Sequence, residues 1–170
     1  MKPGHQSLWF RMEYGIVAAT IVGLCGQFPI VVSSALALCI LRTVRPGAPT
    51  LPVIAASIFA ACMALSIVDM GMGRGSVPVL VEVFLAGTAA FFLLFQGASF
   101  WAYLLIAHSL FTITMAFLSL RHPEWAIVPA RAAVGTVALN VFIILLLVEH
   151  LRSGRSAVLP AQPPPYENGR

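Results

Sequence analysis

VPVLVEVFLAGTAAFFLLFQGASFWAYLLIAHSLFTITMAFLSL, residues 77–120, is a 44-residue stretch in which Glu82 and His108 are the only acidic or basic side chains. As one helix rising 1.5 Å per residue it would measure about 66 Å, twice the ~30 Å hydrocarbon thickness of a bilayer. Its one polar interruption, Gln96-Gly97-Ala98, is short and uncharged, yet it divides the stretch into two runs that each match a single crossing. The sequence therefore predicts a tight helical hairpin there. The alternative is that 77–120 crosses once and the other half is re-entrant or interfacial.

Working outward, three more apolar runs of similar length appear, so the spans read as 16–41, 51–70, 77–95, 99–120 and 126–148. The breaks carry residues that end helices: Pro46, Gly47 and Pro49; Gly71, Gly73 and Gly75; Gly97; Pro123. Charges beside them hold those ends in water. The fold class is an all-α, polytopic transmembrane helix bundle of five spans, or four in the alternative. Residues 1–15 form a short N-terminal segment and 149–170 an unstructured tail. Pro29 inside the first run predicts a kink.

Composition agrees: 59% of the 170 residues are hydrophobic and 9% charged, against about 25% charged in soluble domains. The ten basic residues that give the net charge of +4 are scattered between apolar runs. Nucleic-acid binding would need them gathered on one face. Cys25, Cys39 and Cys62 lie inside apolar runs, which suits neither a disulfide framework nor a zinc site. A secretory signal is disfavoured because the first run continues past the weak cleavage pattern at Ser34-Ala35-Leu36-Ala37. The alternating Gly71, Gly73 and Gly75 follow no strand, so they make no nucleotide loop. Neither a catalytic constellation nor a cofactor motif is present, and the expectation is a protein that is not an enzyme.

Orientation is poorly defined by sequence. Five crossings put the termini on opposite faces, with Arg42, Arg45, Arg152, Arg155 and Arg170 on one and Lys2, Arg11, Arg74 and Arg121 on the other, too even a split to decide. Trp9 and Tyr14, Trp101 and Tyr103, and Trp125 fall near span starts and suit the headgroup level.

Ionisable groups at membrane depth are costly and invite a functional reading. The candidates are Asp69, Glu82, His108 and Arg131, with the amide Asn140. In the five-span reading Asp69, Glu82 and Arg131 share one depth, about 8 Å below one face. That predicts an ion pair between Glu82 and Arg131 with Asp69 nearby, against the alternative that Arg131 and Glu82 snorkel to the interface. His108 reads as a hydrogen-bonded packing residue and Asn140 as glue between helices. Small residues such as Gly15, Ala18, Ala19 and Gly23, or Ala86, Gly87, Ala89 and Ala90, allow close helix approach.

The chain ends in Pro163-Pro164-Pro165-Tyr166-Glu167-Asn168-Gly169-Arg170. Pro163, Pro164 and Tyr166 match the Pro-Pro-x-Tyr pattern read by WW domains. Prolines preset the polyproline II shape, so docking costs little entropy, and tyrosine adds a second anchor. Tyr166-x-Asn168 also matches a pattern some SH2 domains read after phosphorylation. In tail and hydropathy plan the chain resembles the lysosomal-associated transmembrane proteins and other membrane adaptors that recruit HECT-type ubiquitin ligases. The resemblance covers the last eight residues and the spacing of the spans. It implies an integral protein of an endomembrane or the plasma membrane, with a cytosolic C-terminus, a WW-domain partner and a client membrane protein. The other readings are a structural tetraspan-like component of a membrane complex or junction, and a small transporter or channel.

Overall fold

The computed structural model describes residues 3–122 and 130–156, with side chains over 13–122 and 132–153. Among the described residues there are helices and turns and no strand. The helices are α1 (Pro3–Val22), α2 (Phe28–Val44), α3 (Thr50–Gly71), α4 (Val77–Gln96), α5 (Ser99–Arg121) and α6 (Ala130–Ser156), with a π-helical turn, Gly23–Gln27, joining α1 to α2. Five segments are long and apolar enough to cross a membrane: Glu13–Val44, Thr50–Gly71, Val77–Gln96, Ser99–Arg121 and Ala132–Ser153. The protein is an all-α integral membrane bundle. Phe28, Leu36, Phe84, Phe100, Phe111 and Phe117 turn outward with more than half of their surface exposed, a burden only lipid can bear on this scale.

The hairpin expected inside 77–120 is present. Gly97 adopts a left-handed φ of 65° and donates its N–H to the Leu93 carbonyl, closing α4, and Ala98 opens α5. Trp101 Nε1 donates to Gln96 Oε1 across the turn, and its ring stacks on Phe92 at 4.9 Å. The stretch is therefore two helices, each long and apolar enough to cross a membrane, and not one continuous helix. At the other end of α4, Ser76 caps the helix by accepting from the Val79 N–H.

Helix α3 is apolar all round and sits at the centre, packed by α2, α4 and α6. Its Val53, Ala55, Ala56, Ile58 and Phe59 meet Ala86, Ala89, Ala90, Leu93 and Leu94 of α4, Ala102 and Leu105 of α5, and Ile143 and Leu147 of α6. Alanines at 86, 89 and 90 share one helical face and bring α4 close to the others, as packing between helices in lipid requires. Several hydroxyls on the helices are satisfied locally: Thr20, Thr43, Thr88, Thr114 and Ser119 each donate to the carbonyl four residues back.

The first segment departs from expectation. Straight, the 32 residues of Glu13–Val44 would reach about 48 Å. Instead the segment folds back on itself. Gly15 lies against Phe142, where an added methyl would touch the ring at 3.6 Å, and Gln27 reaches Ala132 and Thr136, so α1 runs antiparallel to α6 toward its start. Helix α2 then returns, and Val44 and Arg45 share a wall with Phe95, Gln96 and His150 near the other end of α6. The reversal is made at Gly26, with φ 82°, a conformation that only glycine adopts cheaply. Pro29 is not the cause. It falls in the first turn of α2, where a missing N–H costs nothing.

Two boundaries also move. Helix α1 begins at Pro3, so residues 3–15 of the short N-terminal segment are helical and run on into the first apolar run. Helix α6 continues to Ser156, two turns past Val148, because nothing from Glu149 to Ser153 breaks a helix already propagating and Ser153 Oγ bonds back to the Glu149 carbonyl. The expected start of the last span at Ala126 lies outside the described residues.

Candidate functional site

Glu82 enters α4 on the second turn and meets α5; whether it also meets Arg131 lies outside the described side chains. Its Oε1 accepts a 3.4 Å hydrogen bond from Thr112 Oγ1 and lies 3.9 Å from His108 Nδ1. Thr112 Oγ1 also donates to the His108 carbonyl at 3.0 Å, so one hydroxyl serves both residues. On its other side the His108 ring faces Phe59 of α3, centroids 5.9 Å apart and tilted. A carboxylate at this depth needs polar partners, and α5 presents a hydroxyl and an imidazole from positions one helical turn apart. Sequence spacing placed Glu82 and His108 on separate spans without joining them. The hairpin at Gly97 does so, because antiparallel helices bring positions equidistant from the turn to similar heights.

Asp69 pairs elsewhere. At the end of α3 its carboxylate lies 3.5 Å from the Arg74 guanidinium, with both side chains more than half exposed. Its carbonyl accepts from the Arg74 and Gly75 N–H groups. This is a turn-closing contact, and an exposed pair of this kind is worth at most about 1 kcal/mol. Arg131 lies on α6 with its side chain outside the described residues, as do Pro163, Pro164 and Tyr166 of the tail.

Asn140 is buried, and its Nδ2 donates within α6 to the Thr136 carbonyl at 2.9 Å. The contact between helices comes from Gln27, which the apolar reading of the first run passed over. Its Nε2 donates to the Ala132 carbonyl and to Thr136 Oγ1, both at 3.3 Å. Gly135 lets this happen, since a methyl there would collide with Gln27 Oε1 and stand 2.9 Å from Cys25 Cβ.

Known proteins give no counterpart for this arrangement. Comparison with protein-family models, with characterised proteins and with solved structures found no match. The geometry has therefore to be read by itself. It joins a polar pair between α4 and α5, an amide clasp between the first reversal and α6, and two concavities. One concavity, about 550 Å³, lies where the turn after α2 meets the ends of α4 and α6. There the Arg45 guanidinium sits 4.0 Å over the Phe95 ring. The other, about 390 Å³, lies between α1, α2, α3 and α6, and carbon makes up nearly all of its wall.

Proposed function

We propose that the protein is a membrane adaptor: the bundle anchors it and offers a surface to a client membrane protein, while the tail presents Pro163, Pro164 and Tyr166 to a WW-domain protein such as a HECT-type ubiquitin ligase. Trafficking or turnover of the client follows. The observation that carries the reading is the Pro-Pro-x-Tyr sequence close behind the last span. Helix α6 runs on to Ser156, and residues 157–162, the linker to the motif, reach at most about 20 Å. A WW domain bound there works close to the membrane surface, where a client's own cytosolic segments lie.

A cytosolic tail is supported by charge. The reversal at Gly26 returns the first segment to the end of the bundle where α6 finishes, so Arg42, Arg45 and Arg152 share that end, and Arg74 and Arg121 belong to the opposite one. Arg11, in the first half of α1, and Arg155, at the end of α6, fall toward the same end. The imbalance that five straight crossings hid now favours the arginine-rich end as cytosolic.

Full-length protein in lipid nanodiscs, titrated with isolated WW domains, tests this reading. Binding should weaken roughly tenfold or more in Tyr166→Ala and in Pro164→Ala, since each removes an anchor of the docked motif. Unchanged affinity in both variants overturns it.

A further inference from the structure

The cavity between the two arms of the first segment has the makings of a lipid site. Its walls come from Ala18 of α1, Ile30 and Ser34 of α2, Ile54 of α3 and Phe142 and Leu146 of α6, at a volume of about 390 Å³. That lies within the range of pockets that hold small ligands, about 300–1,000 Å³. Its exposed edge is formed by Ala35 and Thr50.

Thr50 links this apolar space to a charge. Arg42 Nη2 donates to Thr50 Oγ1 at 2.6 Å, and Nη1 to the Ala48 carbonyl at 2.9 Å. These contacts hold the guanidinium at the mouth of the cavity. A guanidinium carries five N–H donors, so several stay available. Among the described residues no carboxylate lies within ion-pair distance of Arg42. A carbon-walled space that ends at an oriented, half-buried cation, at the level where the helices leave the membrane, is complementary to an amphiphile with an anionic head. Arginine is also the side chain whose planar fork best matches a phosphate.

We propose that this cavity takes one acyl chain of an anionic phospholipid, with its phosphate on Arg42 and Thr50 and its second chain remaining in the bilayer. The site is independent of the tail and its partner. It would fix the two arms of the first segment against α3 and α6, because the chain would touch all four helices at once.

Native mass spectrometry of the full chain released from nanodiscs tests this, using phosphatidylglycerol and phosphatidylcholine of identical acyl chains, with free oleic acid as a third arm. One phosphatidylglycerol should be retained roughly tenfold more than phosphatidylcholine, the scale of a hydrogen-bonded charge. Arg42→Gln should bring the two to parity. Ser34→Leu should abolish retention of both by filling the cavity. The Ser34 hydroxyl has no hydrogen-bond partner among the described residues, so this change removes no hydrogen bond. Ala35→Leu, at the exposed edge, repeats the test should Ser34→Leu misfold. Equal retention of the two phospholipids, preference for oleic acid, or adducts that survive both leucine variants would each overturn the proposal.

Discussion

Gly135 and Gln27 form a pair in which the missing side chain of one makes room for the long side chain of the other. Replacing Gly135 with alanine should destabilise the protein by about 1–3 kcal/mol, the scale of overpacking a filled interior. Adding Gln27→Ala should return part of that loss, because it removes one of the two atoms struck. Thermal unfolding midpoints of the two single variants and the double variant in one detergent would show it, and strictly additive losses would mean the two do not share the site. A comparable cycle applies to Glu82 and His108. His108→Leu leaves the carboxylate with Thr112 alone, whereas Glu82→Gln keeps an acceptor for Thr112 and removes the charge. The two changes should be non-additive by more than about 0.5 kcal/mol, and independence would show that their 3.9 Å separation carries no coupling.

Among the elements, the reversal between α1 and α2 makes the sharpest forecast. At Gly26 an added Cβ has open space around it, so Gly26→Ala isolates the cost of a left-handed backbone, roughly 1–2 kcal/mol. Pro29→Ala, by contrast, should shift stability by less than about 0.5 kcal/mol, since position 29 donates no helical bond in either form. Equal effects at the two positions would return the bend to proline. The helices themselves were legible in the sequence because their signal is local: apolar length, with glycine and proline where it stops. Even the uncharged break at Gly97 could be read from length. The reversal was not legible, because Gly26 and Gln27 interrupt an apolar run without shortening it enough to fail as one span. Only their contacts with α6 distinguish a fold-back from a long tilted helix. That Glu82 meets Thr112 and His108 of α5 was not legible for a related reason. Equal depth is shared by several helices, and adjacency depends on which helices pack together.

For the molecule as a whole, the path of the first segment changes the topology. If both its ends lie at the arginine-rich end, the N- and C-termini face the same side, where five straight crossings would separate them. Epitope tags on both termini in sealed vesicles should be protected or digested together. Opposite accessibility would mean that the first segment crosses as a single span.

The bond from Gln27 to the Ala132 carbonyl spans 105 positions of sequence, and that separation bears on how the chain is made. At about 5–20 residues per second on the ribosome, on the order of ten seconds pass between synthesis of the glutamine and arrival of its partner. Over that interval the first arm is in the membrane without the helix it packs against, its amide unclasped. The clasp therefore closes only when α6 joins the bundle. A nascent chain that stalls before this helix leaves the Gln27 amide without Ala132 and Thr136, the partners it has in the folded bundle.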